Sequence, residues 1–122
     1  MQKIQKPWGY EIWFAQTDKY VGKYIFVKKG SRLSYQYHKV KDETLLVIRG
    51  AGIIILDKTV IPFIEGDVQH IAPYTKHRIE ATNTDMGIIE VSTTEVDDVV
   101  RLEDDYGREE GTKAETDTGS SE

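Results

Sequence analysis

Residues able to hold a metal ion crowd into one short stretch, Gly30 to Gly50, GSRLSYQYHKVKDETLLVIRG, where Gln36 and His38 are followed by Glu43. Gln36 and His38 are two apart, so on an extended strand they point to one side while Tyr35 and Tyr37 point to the other. After a polar turn, Lys39-Val40-Lys41-Asp42, Glu43 opens Thr44-Leu45-Leu46-Val47-Ile48, in which Leu45 and Val47 share its face. A hairpin of this kind converges an amide oxygen, an imidazole nitrogen and a carboxylate on one point inside a barrel. The chain has no cysteine, which excludes disulfides, thiolate nucleophiles and sulfur-rich zinc sites. Any metal must therefore be held by nitrogen and oxygen.

Positioning such a cluster calls for short strands, and the sequence is rich in them. Pro7 to Phe14, PWGYEIWF, follows a Pro-Trp-Gly turn with alternating bulky residues and reads as the first strand, with Trp8 and Trp13 as packing residues. Lys19 to Val27 reads as one or two strands, AGIIILD and TVIPFIEGD as two more, and Pro62 marks the second as an edge or a bulge. Gly66-Asp67 turns into Val68-Gln69-His70-Ile71, Ala72-Pro73-Tyr74-Thr75 is a loop leading to His77 and HRIEATN, and Gly87 to Thr93 is the last strong strand. Val99 to Leu102 adds a partial strand, and no helical period of convincing length precedes residue 95. Short strands at this spacing predict an all-β sandwich or barrel.

With 122 residues the chain predicts one domain over residues 1–106, followed by a mobile acidic tail over 107–122 that is poor in apolar residues. A net charge of -5 without a dense Lys/Arg block argues against nucleic acid as a partner. No apolar run approaches the roughly 20 residues of a membrane span, and no apolar signal core follows the first residues, so the expectation is a cytoplasmic protein with no membrane partner.

Gly30, Gln36, His38, Glu43 and Gly50 together resemble the first motif of the cupin superfamily, G-x5-[H/Q]-x-H-x4-E-x6-G, with glutamine in the first histidine position. The resemblance implies a second motif carrying one more histidine, and Gly66 followed by His77 is similar to it, with Ala72-Pro73-Tyr74 where the family has Pro-x-Gly. It implies the cupin double-stranded β-helix, a jelly-roll barrel, with Gln36, His38, Glu43 and His77 as metal ligands. Two nitrogens and two oxygens suit Zn²⁺ first, and also admit Mn²⁺, Fe²⁺, Co²⁺ or Ni²⁺. A neutral glutamine ligand leaves the ion more electrophilic than three histidines would, which favours Lewis-acid over redox work. Because histidine ligates when neutral, binding is expected to fall below about pH 6.

A narrower resemblance rests on four blocks in order: KPWGYEIW, GSRLSYQYHKVKDETLLVIRGAG, APYTKHRIEATN and VRLEDDYGR. These are similar to the phosphomannose isomerase domain of the bifunctional isomerase/mannose-1-phosphate guanylyltransferases. The resemblance implies a sugar-phosphate aldose-ketose isomerase acting on mannose 6-phosphate and fructose 6-phosphate, and a homodimer, for which an exposed edge at PWGYEIWF offers a pairing strand. Arg32, Lys41, Lys76, Arg78, Arg101 and Arg108 are the charges that could meet a sugar phosphate, and the resemblance singles out Arg101 and Arg108. His70, seven residues before His77, is an acid/base candidate. Two positions depart from the family: Lys41 and Thr44 stand where its Arg-x-Glu-His has arginine and histidine. The rival expectation is a non-catalytic cupin that binds a sugar or small anion and holds a structural metal.

Overall fold

A computed structural model describes residues 2–108; most of the expected acidic tail, 109–122, lies outside the described residues. Period-two alternation produces eleven strands and, among the described residues, no helix: β1 (Gln2–Lys6), β2 (Gly9–Gln16), β3 (Val21–Val27), β4 (Tyr35–Tyr37), β5 (Glu43–Arg49), β6 (Ala51–Leu56), β7 (Thr59–Ile64), β8 (Val68–Ile71), β9 (His77–Ala81), β10 (Met86–Ser92) and β11 (Val100–Glu103). They form the jelly roll, a six-stranded sheet ordered β1-β2-β3-β10-β5-β8 facing a five-stranded sheet ordered β11-β4-β9-β6-β7. Every strand pairing is antiparallel.

Inward residues of both sheets make one core, with Trp8, Ile25, Val27, Val47, Ile54 and Ile88 each at most 1% exposed. Each such side chain contributes about 1.5–3 kcal/mol by leaving water. Trp13 is also buried, as expected of a packing residue. Pro62 sits on β7, at the edge of its sheet, where its missing N–H costs no ladder bond. Among the described residues no helix is long and apolar enough to cross a membrane.

Two expectations need correction. PWGYEIWF is not an edge: Gln2–Lys6 forms β1 and pairs along β2, from Gln2↔Trp13 to Lys6↔Gly9, which leaves β1 as the edge. The pairing strand invoked for a homodimer is therefore already paired. The metal-ligand stretch is also not a hairpin. β4 pairs with β9 and β11 in one sheet, and β5 pairs with β10 and β8 in the other. The reason lies in the turn, where the Asp98 carboxylate accepts the amide N–H groups of Lys39 (3.0 Å), Val40 (2.7 Å) and Lys41 (2.9 Å), donors that a tight hairpin ladder would need. The chain instead crosses the barrel at that point. It crosses back at Gly50, whose φ of 79° and position 1.9 Å from the Asp85 carbonyl oxygen at a built Cβ leave no room for a side chain.

Candidate metal centre

Because β4 and β5 belong to opposite sheets, the residues between Gly30 and Gly50 look at each other across the barrel. His38 follows β4, Glu43 opens β5 and His77 opens β9; all three are buried, and one ligand atom from each lies within 4.8 Å of the others. Glu43 Oε2 is 3.4 Å from His77 Nε2, and Oε1 is 3.8 Å from His38 Nε2. Such a group could hold a metal ion.

The tautomers fit that role. His38 Nδ1 donates to the Asp98 carbonyl and His77 Nδ1 donates to the Thr75 carbonyl at 2.9 Å, so both rings turn Nε2 toward Glu43. Asp98 thus fixes the site twice, through its carbonyl on His38 and its carboxylate on the following turn. The electrostatics agree with the geometry. Burial lowers the His38 pKa to about 4, so the ring is neutral at pH 7 and its lone pair is available. Burial alone would raise Glu43, but Lys41, His77 and His38 outweigh it and hold its carboxyl below the usual range, so it is ionised.

The low His38 pKa moves the acid limit of ligation at this residue from about pH 6 to about 4. It also has a stability consequence. The unfolded chain takes up the proton near the ordinary 6.5 and the native state only near 4, so stability present above 6.5 is lost as pH falls toward 4. Urea unfolding of the metal-free protein is expected to show a loss of up to about 3 kcal/mol across that window. The same series in His38→Asn should be flatter; identical slopes would contradict the assignment.

Gln36 lines the same cleft, with Ser34, Lys41, Arg78, Glu90 and the three charged or imidazole groups above. Its Nε2 donates to Ser34 Oγ at 2.8 Å. Lys41 also reaches the cleft, with its ammonium 3.1 Å from Glu43 Oε1 and 3.0 Å from Glu90 Oε2. Arg101 stands opposite Gln36 in the β11–β4 register, on the same face of the sheet.

The other candidates are engaged by partners within the protein. Ile71 is the inward residue of β8, so His70, its neighbour, faces out; its Nε2 lies 2.7 Å from Asp42 Oδ1 on the surface, away from the cleft. Arg108 closes onto Asp104, Nε to Oδ2 at 3.0 Å, and Arg32 onto Asp105 at 2.8 Å. Arg78 donates to the carbonyls of Leu33 and Glu103. The Thr44 departure lies outside the site, since Thr44 pairs with His70 and Val91 one residue off the inward face. Only the Lys41 departure touches the cleft.

Sequence reading missed Glu90, Lys23 and Glu11. Lys23 Nζ is 3.7 Å from Glu11 Oε1 and 4.0 Å from Glu90 Oε2, with both lysine and Glu11 side chains fully buried. Parity was the available signal: Lys23 shares its face with Val21, Ile25 and Val27, and Glu90 with Met86 and Ile88, all of them buried.

Comparison with known proteins identifies the family. The family model described as mannose-6-phosphate isomerase C-terminal matches residues 1–104. The chain is 31% identical over 110 residues to the alginate biosynthesis protein AlgA of Pseudomonas aeruginosa, covering 87% of this chain and 23% of that protein. It is 32% identical over 111 residues to mannose-1-phosphate guanylyltransferase of Escherichia coli, covering 88% of this chain and 23% of the relative. It thus spans about a quarter of the length of these relatives. Among solved structures, the capsular polysaccharide assembling protein CapF of Staphylococcus aureus superposes with a TM-score of 0.72 at 25% identity, over 84% of this chain and 34% of that one. KdgF from Halomonas sp. gives 0.73 at 18% identity, over 80% and 89%, a likeness of fold alone. With a cupin barrel, a buried His-Glu-His group and a family match over nearly all described residues, the chain belongs to the family of mannose-6-phosphate isomerase C-terminal domains.

Proposed function

We propose that this chain is a metal-dependent isomerase of a phosphorylated hexose, interconverting mannose 6-phosphate and fructose 6-phosphate, with Zn²⁺ as the first candidate among the divalent ions. The observation that carries this reading is the buried group of His38, Glu43 and His77, with both Nε2 atoms turned toward the carboxylate, in a chain of this family. His38, Glu43, His77 and, through its amide oxygen, Gln36 would hold the ion. Bound there, a divalent ion supplies Lewis-acid polarisation of the sugar's carbonyl and neighbouring hydroxyl oxygens. The reaction moves a proton between C1 and C2 and needs no oxidant or reductant. Around it, Ile25, Leu33 and Leu45 give the cleft apolar walls that limit water. Arg101, opposite Gln36 in the strand register, would meet the phosphate by charge-assisted hydrogen bonds.

The alternative, a sugar- or anion-binding domain with a structural metal, draws support from Lys41, whose ammonium fills the space beside Glu43. A coupled assay separates them: mannose 6-phosphate turnover after reconstitution with each divalent ion in turn. Turnover with at least one ion is expected. Measurable sugar-phosphate binding without turnover in any ion would overturn the isomerase in favour of the binding domain.

A further inference from the structure

Five charged side chains, each no more than 6% exposed, run across the inner face of the six-stranded sheet in alternating sign: Glu11 on β2, Lys23 on β3, Glu90 on β10, then Lys41 from the turn before β5, and Glu43 on β5 itself. Lys23 and Glu90 are direct cross-strand neighbours, flanked in the same register by Trp13 and Leu45, and Glu11 and Glu43 stand two residues from these on the same inward faces. Its far end is fixed. Lys23 Nζ lies 4.3 Å from the centre of the Trp13 ring, and the Trp13 indole N–H donates to Glu11 Oε1 at 2.9 Å. Buried ion pairs are generally no more stabilising than apolar residues of the same volume, so a row of five calls for a role other than stability.

Lys41 is its pivot. Its ammonium sits between two carboxylates at nearly equal distances, 3.1 Å from Glu43 Oε1 and 3.0 Å from Glu90 Oε2. Glu43 Oε1 is also the oxygen that faces His38 Nε2 at 3.8 Å, so Lys41 is held by an atom of the metal-ligand group. The backbone of Lys41 is pinned by Asp98, while lysine's four-carbon stem lets the compact ammonium move between two acceptors. A divalent ion held at Glu43 would repel that ammonium, and Glu90 is the second carboxylate beside it, at 3.0 Å.

We propose that Lys41 is a tethered cation that competes with the metal ion for Glu43, and that Glu90, backed by Lys23 and Glu11, is the counter-charge that draws it away. The proposal rests on the metal-centre reading above and adds what sets the affinity of that centre. Glu90 is then a positioning residue, acting on Glu43 through Lys41.

The test is Co²⁺ binding to the full chain by competition with a chromophoric chelator, for wild type, Lys41→Met and Glu90→Gln. Lys41→Met is expected to tighten binding about tenfold and Glu90→Gln to weaken it about tenfold, within the range typical of partners one shell beyond the ligands. The visible Co²⁺ band should persist in both, since the ligands are unchanged. General structural damage would weaken binding in both variants; opposite directions would not come from it. Should Glu90→Gln fail to fold, Glu90→Asp, with its carboxylate withdrawn by one methylene, is expected to shift the same way. Binding by Lys41→Met with none in wild type would also support the proposal. Unchanged or weaker binding in Lys41→Met, while wild type binds, would overturn the proposal and leave the metal centre standing. No binding by wild type or by Lys41→Met would overturn the metal centre and the proposal together.

Discussion

Replacing His77 with alanine is expected to weaken metal binding by more than about 100-fold, beyond the 10–100-fold typical of losing a partner one shell out. His77 is delivered by β9, in the sheet opposite Glu43, and its Nε2 lies 3.4 Å from Glu43 Oε2. Without it the donors left are His38 and Glu43, with the neutral amide of Gln36, and the open side of the group is on the five-stranded sheet. His70→Ala should leave binding intact, because its imidazole is 60% exposed and pairs with Asp42 on the surface. Metal content after dialysis against a fixed free-metal buffer checks both variants in one experiment. Equal content in wild type and His77→Ala would mean that His77 is not a ligand.

Lys23→Ala is expected to destabilise the protein by about 3–5 kcal/mol, the range for removing one partner of a buried ion pair. Its side chain is fully buried, with Glu11 at 3.7 Å and Glu90 at 4.0 Å. Truncation removes the cation between those two carboxylates and opens a cavity against Trp13. Burial and the nearby Glu43 already raise the Glu90 pKa against the opposing pull of Lys41 and Lys23, so losing Lys23 pushes Glu90 further toward its neutral form. Urea unfolding at pH 7 measures the effect. A loss below about 1 kcal/mol would show that Lys23 is compensated by solvent rather than held in the row.

The fold was legible because alternation at period two survives in almost every strand: Glu43, Leu45 and Val47 all point inward on β5, as their spacing requires. The shared inward face of Gln36 and His38 was legible for the same reason, both being 2% exposed, whereas His77 was reached through the cupin resemblance and not through alternation. Pairing was not legible. Which strands neighbour each other depends on where a turn sends the chain, and the turn after His38 is set by Asp98, about sixty residues away and acting through three backbone amides that sequence does not display. β1 was missed because an edge strand that buries little, with Gln2, Lys3 and Gln5 exposed, carries almost no hydrophobic alternation. Lys23 and Glu90 went unnoticed because charged residues are almost never fully buried unless paired, and their pairing is a property of cross-strand register.

X-ray absorption at the metal edge of the Zn²⁺- or Co²⁺-loaded protein tests the central claim most directly, because it reads the ligand atoms rather than a consequence of them. The account expects a mixed nitrogen and oxygen shell with the outer-shell scattering of two imidazole rings, from His38 and His77, and a loss of one ring's contribution in His77→Ala. A shell of oxygen alone, unchanged by His77→Ala, would contradict it.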